Sequence, residues 1–122
     1  EVLISKFWPG PLTIILKCQK GEKVGFRMPC NKVALDLIEK AGVPLVAPSA
    51  NISGKKPPLD AKTALSYLNG LVEMVLDGGR TALGVESTVI DMTEAPYKIL
   101  REGAISRAQI DMVVGVVPDP DR

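Results

Sequence analysis

The spacing of apolar residues changes along the chain, and each change predicts a different secondary-structure element. Residues 12–16 are almost continuously apolar and β-branched, which is typical of a strand buried on both faces. Residues 1–7 indicate the end of a helix, because Pro9 and Pro11 follow and proline cannot continue one. Other short apolar runs predict strands at residues 24–28, 43–47, 74–76, 89–91 and 97–101.

The remaining apolar stretches have helical spacing and recognisable ends. Asn31, Asp60 and Ser106 are residue types that cap helices, and each directly precedes such a stretch. Ser106 with Gln109 predicts a capping box, a reciprocal pair of hydrogen bonds at a helix start. The predicted helices end at Gly42, at Asn69-Gly70 and at Gly115. Strands and helices alternate irregularly, so we predict an α/β (α+β) fold with a mixed sheet and flanking helices.

A chain of 122 residues suits one domain. We assign residues 1–115 to that domain and residues 116–122, which contain two prolines, to the start of a linker or C-terminal tail. Glu1 leads directly into Val2, Leu3 and Ile4 without a methionine or a helix cap. We therefore expect the domain to be incomplete at its N-terminus.

Composition narrows the classes of function. The formal net charge is +1 and only 4% of residues are aromatic, which argues against a large nucleic-acid footprint and against base-stacking modules. There is no histidine, and Cys18 and Cys30 are isolated, so zinc binding and Cys–His catalysis have no ligand set. Two isolated cysteines, no signal peptide and no apolar run of transmembrane length predict a cytoplasmic protein without membrane contact.

The segment PSANISG at residues 48–54 is the first candidate site. It follows an apolar run, and the carboxyl end of a buried strand is where α/β proteins bind ligands. Its hydroxyls and its amide offer donors and acceptors, and Gly54 allows backbone N–H groups to approach an anion. The alternative interpretation is a simple turn, because Ser, Asn, Gly and Pro all form turns for local backbone reasons.

Two arginines and a polar turn form the second candidate site. Arg27 lies in an apolar strand, Glu86-Ser87-Thr88 opens another, and Arg101 ends a third. Guanidinium groups bind carboxylates and phosphates bidentately, so a crevice with these residues suits an anionic ligand. Alternatively, Arg27 is an edge residue that extends into water. No Ser–His pair, P-loop or GxGxxG is present, so the chemistry favoured is positioning and electrostatic stabilisation, without a catalytic nucleophile.

Five motifs resemble, in order, those of the Sua5/YciO/YrdC family, and they extend over nearly the whole chain. They are FWPGPLT at 7–13, VGFRMP at 24–29, PSANISG at 48–54, GVESTVID at 84–91 and ILREGAI at 99–105. The resemblance implies a YrdC-like fold, a twisted mixed sheet with flanking helices around a basic concavity. It also implies the activity of a threonylcarbamoyl-AMP synthase, which converts L-threonine, bicarbonate and ATP into threonylcarbamoyl-adenylate and pyrophosphate for tRNA t6A modification. ATP is the expected cosubstrate, together with Mg²⁺.

The resemblance implies roles for nine residues. Arg27, Ala47 and Ser87 match positions that contact threonine, with Arg27 on its carboxylate. Positions that contact ATP are matched by Lys23, Ser49, Asn51, Ser53, Pro57 and Arg101. No metal ligand or catalytic nucleophile is implied, and tRNA or a t6A transferase complex is the implied partner.

The family's front segment, with a P-T-E-T-x-Y-G-L-like motif and a K-x-R loop, does not occur in this sequence. We therefore expect the 122-residue chain alone to be a poor enzyme or none. Two alternatives are a carbamoyl-adenylating domain of a hydrogenase maturation protein and a non-catalytic, YciO-like module that binds nucleotide or RNA.

Overall fold

Four strands of the computed structural model, which describes residues 1–81 and 84–115, form one mixed sheet. They are β1 (Leu12–Lys17), β2 (Lys23–Phe26), β3 (Thr88–Asp91) and β4 (Lys98–Arg101). The sheet order is β2-β1-β3-β4, with a parallel central pair and antiparallel outer pairs. The helices are α1 (Val2–Phe7), α2 (Lys32–Ala41), α3 (Ala61–Leu68) and α4 (Arg107–Val114). The predicted class, a mixed sheet with flanking helices, is confirmed.

The chain divides into two units. The first comprises Glu1–Cys30 and the described residues from Val85 on, and therefore contains the whole sheet with α1 and α4. The second is Asn31–Gly84, with α2 and α3. The predicted linker at residues 116–122 lies outside the described residues.

The hydrophobic core lies in the first unit. Leu12 and Ile14 of β1 alternate with Thr13, and their buried face packs with Ile90 of β3. The helices cover this face: α1 contributes Leu3 and α4 contributes Ile110 to the same cluster, and Ile105 completes it. By contrast, no described residue of the second unit is buried, although that unit carries exposed Val46, Leu71 and Met74.

Helix ends follow the capping signals in the sequence. Asn31 Oδ1 accepts a hydrogen bond from the Ala34 N–H, and Asp60 Oδ1 accepts one from the Thr63 N–H. Ser106 and Gln109 form the predicted capping box. Helices α2 and α4 end at Gly42 and Gly115, both of which adopt the left-handed conformation that glycine tolerates best. None of the described helices has the length and apolarity that crossing a membrane requires.

Two predicted strands are wrong. Residues 43–47 and 74–76 have no ladder hydrogen bonds among the described residues and are irregular. An apolar run becomes a strand only when a neighbouring chain satisfies its backbone N–H and C=O groups. Pro44 also lacks an N–H to donate. The strand predicted at 24–28 ends at Phe26, because the Met28 carbonyl turns to accept from the Gly10 N–H at 2.8 Å.

A buried hydroxyl joins β3 to the turn after β4. Thr88 Oγ1 donates to the Ile105 carbonyl at 2.6 Å and accepts from the N–H groups of Gly103 and Ile105 at 2.9 and 3.0 Å. The two segments approach so closely that a Cβ on Gly103 would lie 2.2 Å from the Glu86 carbonyl oxygen. This junction therefore requires glycine on one side and a small hydroxyl side chain on the other.

An ion pair crosses the face of the sheet that is opposite to the hydrophobic core. Lys23 Nζ lies 3.1 Å from Asp91 Oδ2, so the pair extends from β2 over β1 to β3. Asp91 Oδ1 also accepts from the Thr93 N–H and hydroxyl, at 2.8 and 2.6 Å. These Thr93 hydrogen bonds, with the Lys23 ammonium, lower the pKa of Asp91 to about 2.

We expect Thr88→Val to destabilise the first unit by roughly 2–4 kcal/mol. Valine keeps the shape of threonine but leaves two N–H groups and one carbonyl without their partner in a buried place. Urea unfolding measures the change, and the exposed Thr81→Val is the matched control, expected within about 0.5 kcal/mol of wild type. Equal stability of the two variants would contradict the role given to this hydroxyl.

We expect Asp91 to make stability depend on pH in the acid range. Its folded pKa of about 2 is below the ordinary value of 3.8, so its stabilisation is complete above pH 3.8 and disappears as the pH falls through about 2. The urea midpoint of Asp91→Asn should therefore fall less between pH 4 and pH 2 than that of wild type. Glu94→Gln, which removes the more distant carboxylate at 4.0 Å from Lys23, should retain the wild-type acid response. Parallel curves for wild type and Asp91→Asn would disprove this assignment.

Candidate functional site

The predicted site residues of the first unit lie on the sheet face opposite the core. Strand alternation turns Thr13 away from the buried Leu12 and Ile14, and β1 places Thr13 beside Val89 of β3. Val89 is in turn beside Arg101 of β4. We call this side of the sheet the Thr13 face.

Ser87, directly before β3, is the centre of a hydrogen-bonded cluster on the Thr13 face. Its hydroxyl lies 2.9 Å from the Thr13 hydroxyl and 3.2 Å from Arg101 Nη2. Arg101 Nε also donates to the Ser87 carbonyl at 3.0 Å. Ser87 is buried, so β1 and β4 together fix its side chain.

This arrangement leaves one hydroxyl proton available to a ligand. Arg101 can only donate, so the Ser87 oxygen accepts from it. The bond between Thr13 and Ser87 uses the proton of one hydroxyl, in either direction. The proton of the other hydroxyl has no acceptor in this cluster, and a carboxylate oxygen would supply one.

Arg27 is held at its base by the turn between α1 and β1. Its Nε donates to the Gly10 carbonyl at 3.0 Å, while the Gly10 N–H donates to the Met28 carbonyl. The turn admits only glycine there, because a Cβ would lie 2.2 Å from the Phe7 carbonyl oxygen. With Nε engaged, Arg27 retains the two Nη groups for a ligand, and a carboxylate fits across them. The edge-residue interpretation of Arg27 is thus incomplete: the residue directly follows β2, and its side chain bonds to the Gly10 turn.

The two arginines differ in how far their charge is balanced. Arg101 Nη1 lies 3.1 Å from Glu86 Oε2, whereas Arg27 has no carboxylate partner among the described residues. Partial burial lowers the pKa of Arg27, and the positive charge of Arg101 lowers it further. Both effects indicate that an anion near Arg27 would relieve unfavourable electrostatics, since the guanidinium stays charged at neutral pH.

The other predicted residues lie in the second unit, within residues 47–57. Asn51 Nδ2 donates to the carbonyls of Ile52 and Lys55, at 3.3 and 3.0 Å, and so braces its own loop. Its Oδ1 is buried and accepts no hydrogen bond from the described residues. A buried acceptor without a donor is rare and indicates a partner outside the chain, such as an ordered water or a ligand N–H or O–H. The turn interpretation explains the Nδ2 bonds but not this oxygen.

The remaining predicted residues are less constrained. Ser49, Ser53 and Pro57 are exposed, and Ala47 is exposed at the end of a run that is irregular rather than a strand. Lys23 is paired with Asp91 and Glu94 instead of standing free. The structure thus brings Arg27, Ser87 and Arg101 together in the first unit and Ala47 to Pro57 along one loop in the second.

Two residues that structure this site, Thr13 and Gly10, were not identified as site residues from the sequence. Thr13 was assigned only to a strand, and Gly10 appeared only within a motif. Glu86 was included as part of the polar turn, but without a role of its own. Both Thr13 and Gly10 lie in the FWPGPLT motif, so this motif could have identified them as candidate site residues. Gly10 contributes its backbone carbonyl, and because every residue has one, the residue type does not predict this role. The described residues contain no group of three or more His, Cys, Asp and Glu side chains that could hold a metal.

Comparison with known proteins places these features in a family. The model of the Sua5/YciO/YrdC family, described as telomere recombination, matches residues 1–103. A threonylcarbamoyl-AMP synthase of Pyrococcus abyssi is 43% identical over 126 aligned residues, which cover 96% of this chain and 37% of the relative. The chain thus spans little more than a third of the length of that relative.

Solved structures agree with the sequence comparison. The crystal structure of P. abyssi Sua5 complexed with L-threonine is 43% identical, with a TM-score of 0.88 over 94% of this chain and 36% of that one. The crystal structure of E. coli YciO is 26% identical, with a TM-score of 0.75 over 86% of this chain and 55% of that one. The matched family model covers all but the last part of the chain, and the five motifs lie on the structural features described above. This chain belongs to the Sua5/YciO/YrdC family.

Proposed function

We propose that this chain is part of a threonylcarbamoyl-AMP synthase. In the proposed reaction, the neutral amino group of L-threonine attacks the carbon of bicarbonate; a C–N bond forms, a C–O bond breaks and water leaves, which gives the carbamate. A carbamate oxygen then bonds to the α-phosphorus of ATP. The bond between the α- and β-phosphates breaks, and pyrophosphate leaves. The name of the Pyrococcus relative supports this reaction, as does the likeness to a structure that contains L-threonine.

The cluster around Ser87 is the observation that carries the proposal. Arg27 presents two Nη groups whose charge no described carboxylate balances, and the Thr13–Ser87 pair has one proton to donate. A carboxylate with a neighbouring hydroxyl offers acceptor oxygens to these donors, and L-threonine is such a molecule. The cluster can therefore bind and orient the amino acid.

The nucleotide requires different donors. We propose ATP contacts in each unit taken by itself: Arg101 in the first, and in the second the loop around Asn51, whose buried Oδ1 accepts no hydrogen bond from the described residues. Ser49 and Ser53 add hydroxyls, Lys55 and Lys56 add positive charge, and Lys23 and Pro57 complete the proposed contacts. None of these residues is a nucleophile for the reaction, so their contribution is positioning and charge stabilisation.

Mg²⁺ is proposed only as a companion of the ATP phosphates. It is commonly held by one or two carboxylates together with substrate phosphates. Glu86 and Asp91 are both paired with cations, so neither carboxylate is an unengaged ligand for this ion.

The wider setting of the enzyme is also a proposal. In this proposal, threonylcarbamoyl-adenylate is made in the cytoplasm, and the t6A transferase complex uses it there to modify tRNA. The hydrogenase-maturation and YciO-like alternatives are not favoured, because the sequence identity to the synthase exceeds that to YciO. Since the chain spans 37% of the Pyrococcus relative, activity is best measured in the complete gene product that contains it.

In the complete protein, we expect Arg27→Ala to raise the KM for threonine far more than the KM for ATP. Removal of one partner of a guanidinium–carboxylate pair costs roughly 2–5 kcal/mol, which corresponds to a factor of about thirty or more. Initial rates over a grid of threonine and ATP concentrations separate the two constants. Arg107→Ala, an exposed arginine on α4, is the matched control. A similar change in both KM values would remove Arg27 from the carboxylate site.

We expect Ser49→Ala to lower ATP-dependent pyrophosphate release roughly ten- to a hundredfold with little change in Tm, since a lost charge-assisted hydrogen bond is worth about 1.5–3 kcal/mol. Its hydroxyl makes no hydrogen bond among the described residues, so folding should not depend on it. Ser66→Ala, within α3, removes a hydroxyl that bonds only to the Thr63 carbonyl and should leave the rate unchanged. An unchanged rate in Ser49→Ala at saturating threonine and bicarbonate would exclude this loop from the active site.

A further inference from the structure

Glu86 has no part in the proposed chemistry, yet its side chain contacts Arg101, the residue proposed to bind a phosphate of the ligand. Its Oε2 is 3.1 Å from Arg101 Nη1. A ligand phosphate that reaches this guanidinium has to share it with the carboxylate or replace it, because two anions on the same Nη group repel each other.

The pair is weak enough to exchange. The side chains of Glu86 and Arg101 are 51% and 42% exposed, and ion pairs with that exposure contribute little net stability. Water solvates the carboxylate that is released, so no buried charge is left behind. A phosphate group carries more charge than a carboxylate and offers more acceptor oxygens, which favours it as the partner of a guanidinium.

The local backbone allows the exchange without a rearrangement. The Glu86 carbonyl accepts from the Ala104 N–H at 3.1 Å, and Gly103 packs tightly against it, so the main chain of Glu86 is fixed. Arg101 is fixed independently through Nε and Nη2, both of which donate to Ser87. The Glu86 side chain can therefore turn away while the guanidinium keeps its position.

We propose that Glu86 is an exchangeable counter-anion, which occupies Arg101 until a phosphate group of the ligand replaces it. The inference rests on the proposed function in so far as that function supplies a phosphate ligand. Glu86 then weakens phosphate binding and assists its reversal, since the carboxylate can return to Arg101 when the phosphate leaves. It acts through the charge of Arg101 and does not contact the reacting atoms.

The proposal and its rival predict effects of opposite sign. An exchangeable anion competes with the ligand, so its removal tightens binding. A permanent partner that orients Arg101 supports the ligand, so its removal weakens binding. Glu86→Gln separates the two cases, because glutamine keeps the size of the side chain and removes the charge.

The test is calorimetry with inorganic pyrophosphate, in the complete gene product and without threonine. We expect Glu86→Gln to bind pyrophosphate roughly three- to tenfold more tightly than wild type, as removal of one solvent-exposed charge next to an anion predicts. Glu102→Gln is the matched control: it makes the same charge change one residue from Arg101, but its carboxylate accepts from the Arg107 N–H. It should change the affinity less than twofold.

A second measurement follows the exchange directly. On saturation with pyrophosphate, the ¹³C signal of the Glu86 carboxylate should move towards that of Arg101→Gln, in which the partner is absent. The proposal would be overturned if Glu86→Gln bound pyrophosphate no more tightly than wild type, or if Glu102→Gln gained as much affinity. It would also be overturned if the Glu86 signal did not move, or if wild type did not bind pyrophosphate. A protein that binds pyrophosphate as expected but forms no adenylate from threonine would reject the proposed function and leave this inference in place.

Discussion

The buried hydroxyl of Thr88 is the interaction on which the remaining features of the first unit depend. By bonding to Gly103 and Ile105, it fixes the turn after β4 against the start of β3. Ser87 lies directly before Thr88, and Arg101 lies two residues before Gly103. The same hydroxyl that completes the core on one face of the sheet therefore sets the Ser87–Arg101 contact on the other.

Backbone carbonyls hold the two arginines in the same way, and the arginines differ in their Nη groups. The Gly10 carbonyl engages Arg27 and the Ser87 carbonyl engages Arg101, in each case through Nε. Arg101 then has Ser87 and Glu86 on its Nη groups, whereas Arg27 keeps its Nη groups for a ligand. A single sheet face thus presents one arginine with an unbalanced charge and one whose charge is balanced by an exposed carboxylate.

Local signals predicted the elements whose ends are chemically marked. Asn31, Asp60 and Ser106 begin helices because their side chains bond N–H groups three residues on, which requires no distant partner. The strands of the sheet were predicted where their apolar residues meet the core. The runs at 43–47 and 74–76 have similar composition but are irregular, because a strand depends on a neighbour that its own sequence does not specify.

The sequence by itself determined the class of fold, the helix ends, the family and the residue types that can bind an anion, since each of these depends on composition, local hydrogen bonding or the order of motifs. Only the tertiary structure decided how those residues are used. It joined Thr13 to Ser87 across 74 residues of chain, gave Arg27 a carbonyl partner in the Gly10 turn, and paired Lys23 with Asp91 and Arg101 with Glu86. The physical reason is that a charge or a hydroxyl acts through whatever lies within about 3 Å of it, and the sheet register, not the sequence spacing, selects those neighbours.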